Sequence, residues 1–213
     1  MNDTFTQISN AVYEGRAKDM PGLTNGALAA GLTPQEILDR GLTQGMQLIG
    51  KDFKEGKRFI PELLLAARAM QASLNILRPL FVQTGVKMAG KVVIGTVKGD
   101  LHDIGKTLVG MMLEGAGFEV IDLGKDVAPE QFVEAVKHEK PNIVALSALL
   151  TTTMQSMGRT IELLKEAGLR EQVRVMIGGA PVTSDFACQI NADAYGSSAP
   201  DAVEIAKKFA RVS

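Results

Sequence analysis

The sequence predicts a two-part chain: a bundle of four helices over residues 1–88, then a five-stranded, doubly wound parallel α/β domain over residues 89–213. Three observations carry this expectation. Apolar residues recur at helical spacing through the first 80 or so positions. The period changes after Gly90. From there β-rich runs alternate with helical segments to the C-terminus.

In the first part, Phe5, Ile8 and Val12 form a stripe that Tyr13 widens. A second, shorter helix includes Leu23, Ala27 and Leu28 and ends near Gly31. Thr33-Pro34-Gln35-Glu36 then reads as a helix start, with Thr33 as cap and Glu36 able to return the bond. Behind it Leu38, Leu42, Met46, Ile49 and Phe53 make one apolar stripe that Gly56 stops. Pro61 suits the first turn of the last helix, whose Leu64, Ala67, Met70, Leu74, Leu77 and Leu80 face the shared core. The stretch 81–90 is the expected linker.

The second part opens on the strand Lys91–Val97 and the helical segment 105–116. Further strands are expected near 119–123, 143–149, 174–178 and 192–195. Helices are expected over 129–139, 154–167 and 201–211, with a shorter one near 184–189. The runs Val92–Val97 and Ile143–Leu149 are apolar on both faces, as strands covered by helices on both sides must be.

Composition narrows the function classes. The net charge is −1 with Lys and Arg spread along the chain, so no basic face recommends a nucleic-acid partner. The single cysteine, Cys188, rules out an internal disulfide framework. No apolar run approaches the roughly 20 residues that span a bilayer, and the polar start MNDTFTQISN is unlike a signal peptide. A cytoplasmic protein without a membrane partner is expected.

In an open parallel sheet, ligands bind beyond the carboxyl ends of the strands. That rule selects the loops 98–104, 124–128, 147–153, 178–183 and 196–200. In the first, Asp100 and His102 are two apart, so an irregular loop can bring the carboxylate to one imidazole nitrogen. The other nitrogen would then face outward as a metal ligand or a base. A solvated histidine in a turn is the plainer alternative. Gly105 permits something bulky to lie against the backbone, and Asp103 suits a helix cap. The third loop carries the hydroxyls of Ser147, Thr151, Thr152 and Thr153, which fit either helix starts or a polar rim around a ligand. Gly178-Gly179 would admit a phosphate or a flat ligand pressed against the backbone. Other constellations are poor: Cys188 reads as a small buried residue, and His138 lies in a charged run. The sequence has no Gly-x-Gly-x-x-Gly loop, Walker-type phosphate loop or zinc cluster.

Together these loops carry a resemblance more specific than any one of them. Asp100-Leu101-His102-Asp103-Ile104-Gly105 resembles the Asp-x-His-x-x-Gly signature of the cobalamin-binding domain. Ser147-Ala148-Leu149 resembles that family's Ser-x-Leu, and Gly178-Gly179 its Gly-Gly, in the same order and at strand ends. The N-terminal half is similar to the matching four-helix cap through Met46, Gly50, Phe53, Gly56, Phe59, Pro61, Glu62 and Ala67-Arg68-Ala69-Met70. The likeness covers nearly the whole chain. It extends to the cobalamin-binding module of cobalamin-dependent methionine synthase and to the free-standing corrinoid proteins of methyltransferase systems.

The resemblance implies a helical cap followed by a flavodoxin-like cobalamin-binding domain. It implies a cobalamin or related corrinoid bound base-off, with His102 as lower cobalt ligand and Asp100 bonded to the other imidazole nitrogen. A serine of methionine synthase corresponds to Thr153, so the hydroxyl is kept and the residue type departs. Ser147 would contact the buried base, and Gly178 and Gly179 would let the nucleotide tail pass. Gly105, Leu149 and Thr151 complete the implied cofactor site, and Phe59 is the candidate lid over the corrin. No residue is assigned as catalytic.

The implied function is that of a methyl carrier, loaded on Co(I) by a substrate-specific methyltransferase and unloaded from methyl-Co(III) by a second one. That second enzyme would be a methylcorrinoid:tetrahydrofolate or methylcorrinoid:thiol methyltransferase, the thiol being one such as coenzyme M. A reductive activase is the third implied partner, and the chain is not expected to turn over alone. The alternative is a cobalamin-dependent sensor or regulatory protein. Methanol, methylamines, a betaine and aryl methyl ethers are all served by such proteins, so donor choice is expected in the partner.

Overall fold

The computed structural model describes residues 2–84 and 88–210. The chain divides into two compact units, Met1–Met88 with Gly115–Gly117, and Ala89–Glu114 with Phe118–Ser213.

In the helical unit, α1 (Asn2–Tyr13) buries Phe5, Ile8 and Val12, as the stripe requires. In α2 (Met20–Ala29) the buried positions are Met20, Thr24 and Ala27, while Leu23 and Leu28 are only half-buried. A threonine takes a core position here because its hydroxyl meets that of Ser73 at 2.7 Å. Thr33 caps α3 (Pro34–Glu36) in a full capping box: Glu36 N donates to Thr33 Oγ1 at 3.2 Å, and Thr33 N donates to the Glu36 carboxylate at 3.0 Å.

The helix continues through a π-turn at Ile37–Leu42 into α4 (Thr43–Lys54). The wider turn buries Ile37 together with Leu38, Gly41 and Leu42, a detail that a 3.6-residue period does not anticipate. Met46 and Ile49 are buried and Phe53 is half-buried. The last helix, α5 (Ile60–Thr84), corrects two expectations. It runs into the supposed linker, with Phe81 still buried, and residues 85–87 lie outside the described part. Its core face is Leu63, Ala66, Met70, Leu74, Leu77 and Phe81, whereas Leu64 and Leu80 sit half-buried at the margin. Leucines at 63, 64 and 65 leave the phase open in sequence, and packing chooses Leu63.

The second unit is a five-stranded parallel sheet in the order β2-β1-β3-β4-β5. The strands are β1 (Lys91–Thr96), β2 (Glu119–Asp122), β3 (Ile143–Ser147), β4 (Arg174–Gly178) and β5 (Ala194–Gly196). The helices are α6 (Ile104–Gly115), α7 (Pro129–Glu139), α8 (Gln155–Glu166), α9 (Ser184–Gln189) and α10 (Ala199–Ala210).

Val93, Val144, Leu146, Val175 and Ile177 share one apolar cluster with Phe132 and Val136 of α7 and Met157, Ile161 and Leu164 of α8. Strand alternation then sends Ile94, Ala145 and Met176 to the opposite face. β3 ends two residues before the expected Leu149, because the amides of Leu149 and Leu150 bond to Asp100 instead of a strand. The order reverses between β1 and β3, so the loops that follow them part there and leave a crevice. Among the described residues, no helix is long and apolar enough to cross a membrane.

Candidate functional site

Beyond β1 the chain bridges at Val97 to Val127 and turns through Gly99, whose φ is +84°. This turn drives Asp100 inward until its side chain is fully buried. Its Oδ1 accepts from His102 N at 3.0 Å and lies 2.7 Å from His102 Nδ1. Its Oδ2 accepts from Leu149 N at 2.7 Å, Leu150 N at 3.2 Å and the Thr153 hydroxyl at 2.8 Å. Burial opposes ionisation, but the Leu149 and His102 amides, the His102 ring and the Thr153 hydroxyl outweigh it. They hold the carboxyl well below the usual carboxylate range.

An ionised Asp100 accepts only, so His102 Nδ1 is its donor and Nε2 is the ring nitrogen left for a ligand. The His102 carbonyl also accepts from the buried Thr96 hydroxyl at 2.9 Å. The imidazole is thus fixed through its ring, its amide and its carbonyl, yet its side chain is 51% exposed. A rigidly held donor facing open space is what metal ligation from one side requires.

His102 stands among the residues lining a cavity of about 500 Å³ on the α6 side of the sheet. Of the residues singled out in the sequence, Gly105, Ser147, Leu149, Gly178 and Gly179 also line it. A side chain at Gly105 would project into open space. Gly178 is close to the backbone, since a Cβ there would come 3.0 Å from the Gly196 carbonyl oxygen. Gly179 is required by the protein itself: its φ is +131°, and a Cβ would fall 1.8 Å from the Ala148 carbonyl oxygen.

Thr153 sits behind the histidine on Asp100, while Thr151 and Thr152 are exposed. The α8 cap position is Met154, so the loop's hydroxyls do not start that helix. In the helical unit, Phe59 is 65% exposed just before α5. Its amide donates to Glu62 at 2.9 Å, and Glu62 pairs with Arg58, whose guanidinium lies 4.8 Å from the Tyr13 ring centroid.

Several contributors were not singled out in the sequence. The Leu150 amide is a backbone group, which carries no residue-type signal, and Leu149, singled out for its motif, bonds to Asp100 through its amide as well. Asp126, at φ +55°, accepts from Gly99 N at 2.8 Å and braces the turn before Asp100. Lys106, 4% exposed, spans from the cavity wall to both oxygens of Asp122. A lysine inside the apolar run 104–113 was the available clue.

A B12 binding domain model matches residues 90–204, and a second B12 binding domain model matches residues 4–78. The chain belongs to the B12-binding family. Relatives of this family match it end to end. The trimethylamine corrinoid protein 2 of Methanosarcina mazei is 50% identical over 99% of this chain and 97% of its own length. The methanol:cobalamin methyltransferase complex MtaBC from Methanosarcina barkeri superposes with a TM-score of 0.89 at 32% identity, covering 99% of this chain and 81% of that one. A cobalamin-binding protein from Desulfitobacterium hafniense gives a TM-score of 0.77 at 34% identity, covering 96% and 98%.

The B12 binding domain spans the strands and loops that build the cavity, and the chain binds a corrinoid. The residues fit such a group. One fixed imidazole suits a metal whose remaining positions are filled by a macrocycle, and Gly105 leaves room for a large flat ring beside it.

Proposed function

We propose that the chain is a corrinoid methyl carrier that holds its cofactor base-off, with His102 Nε2 as the lower cobalt ligand. A substrate-specific methyltransferase loads the methyl group. A second methyltransferase passes it to tetrahydrofolate or to a thiol such as coenzyme M, and a reductive activase restores the cofactor after oxidation. The observation that carries this reading is the buried Asp100 fixing a half-exposed His102 at the mouth of a cavity, in a chain half-identical to a trimethylamine corrinoid protein. The same relationship supports a methylated amine as the donor.

When bound, the corrin's cobalt supplies the nucleophile that accepts the methyl group and releases it again. The protein's residues supply position. Asp100 accepts from Nδ1, so Nε2 is the nitrogen that His102 presents to the cofactor. Thr153 holds Asp100 from the far side. Gly105, Leu149 and Thr151 are assigned to the macrocycle's edge, and Ser147, Gly178 and Gly179 to the nucleotide tail entering the cavity. Phe59 is assigned to cover the reactive face until a partner enzyme displaces it.

Reconstitution tests the reading. Protein loaded with cobalamin should keep about one cobalt per chain through gel filtration, as a single fixed lower ligand requires. Electron paramagnetic resonance of the Co(II) form should show nitrogen splitting that changes when histidine is labelled with ¹⁵N. His102→Ala should abolish that splitting and His138→Ala should not. Histidine-dependent splitting that persists in His102→Ala would remove the ligand assignment, and colourless elution of wild-type protein would remove the function.

A further inference from the structure

The cavity is built from two transverse rows of the sheet, one pleat apart. The outer row, Ser147–Gly178–Gly196, lies at the carboxyl ends of the strands. The inner row, Ile94–Ala145–Met176, lies two residues deeper, about 6–7 Å at the usual strand rise. Registered neighbours in a parallel sheet project to the same face, so each row forms a band across the cavity's floor.

The rows differ in chemistry. The outer one is small and partly polar. The inner one is wholly aliphatic or thioether, its members are 2–4% exposed, and Leu108 and Ala202 complete it from α6 and α10. Ala145 is the smallest side chain of the inner row and makes a notch between Ile94 and Met176. Continued to β2, this row reaches Asp122, whose two oxygens both hold the ammonium of Lys106. The cation at that edge already has its partner.

We propose that the inner row selects the corrinoid by its lower base, accepting a benzimidazole and rejecting a purine. The inference rests on the reading that the nucleotide tail enters this cavity. A benzimidazole presents a hydrocarbon edge to the notch. Adenine presents an exocyclic amine and ring nitrogens that lose their water and gain no side-chain partner from Ile94, Ala145 or Met176.

The test uses the full-length apoprotein and three probes in their dicyano forms, in which no lower base is on cobalt. They are cobalamin, its analogue with adenine as the base, and cobinamide, which lacks the nucleotide. Calorimetric titration should place the adenine analogue at least about tenfold weaker than cobalamin, the scale set by one or two orphaned polar groups. Equal or tighter binding of the adenine analogue overturns the proposal, as does cobinamide binding as tightly as cobalamin.

Should all dicyano probes fail while aquocobalamin still loads, the tail lies elsewhere and this inference alone falls. Should aquocobalamin fail too, the corrinoid reading falls with it. Met176→Gln, close in size and carrying an amide, should narrow the ratio to about threefold by pairing part of the purine edge. An unchanged ratio in a variant with wild-type circular dichroism removes the inner row as selector. The wild-type ratio decides the matter if the variant does not fold.

Discussion

Asp100→Asn tests the electrostatic logic of the site without changing its shape. The carboxylate receives donors on both oxygens: the His102 amide and ring nitrogen on Oδ1, and the Leu149 amide, Leu150 amide and Thr153 hydroxyl on Oδ2. An amide has one oxygen, so its NH₂ must face one of these sets. On the first side it opposes the His102 N–H. On the second it opposes both leucine amides. Either choice leaves buried donors facing each other, at about 1–3 kcal/mol for each one orphaned. The expected loss is about 2–4 kcal/mol, or roughly 1–2 M in the urea midpoint at the slopes typical of small proteins.

The depressed Asp100 pKa sets the pH window. A carboxyl held low in the fold stabilises above the unfolded value of about 3.9 and loses that contribution as pH falls toward the folded value. The gap between wild type and Asp100→Asn should therefore be flat from about pH 5 to 8 and close below about pH 4. Urea unfolding followed by circular dichroism at several pH values measures this. A variant within about 0.5 kcal/mol of wild type at pH 7 would refute the claim that both oxygens are committed. A gap that widens on acidification would refute the ionised Asp100.

Thr153→Val should cost about 1–2 kcal/mol in urea unfolding by removing a hydroxyl from a charged acceptor, and Thr153→Ser should restore most of it. Gly179→Ala should lower stability by at least about 2 kcal/mol, since the new methyl meets the Ala148 carbonyl at a positive φ; a thermal melt within a degree of wild type would contradict this. Glu62→Gln should weaken the hold on Arg58 and Phe59 and speed tryptic cleavage at Lys57 and Arg58, read by mass spectrometry of timed digests.

The parts legible in the sequence are those where side-chain type and geometry are tied together. A strand apolar on both faces can only be central, so β1 and β3 were placed by composition, and the ligand loops followed from the parallel-sheet rule. Asp100 and His102 were legible as a pair because two residues are short enough for a turn to join them. What joins Asp100 to the loop after β3 was only half legible. Thr153 has a hydroxyl that sequence comparison can follow, but Leu149 and Leu150 act through amides that every residue except proline possesses.

The helical unit shows the complementary case. With leucines at 63, 64 and 65, periodicity alone fits several phases of α5, and only the neighbours decide which one is buried. Residue chemistry therefore announces which groups can act in this protein. The shape of the backbone decides which of them are held in place to do so, and at Asp100 it does this by ending β3 two residues early and turning the freed amides onto the carboxylate.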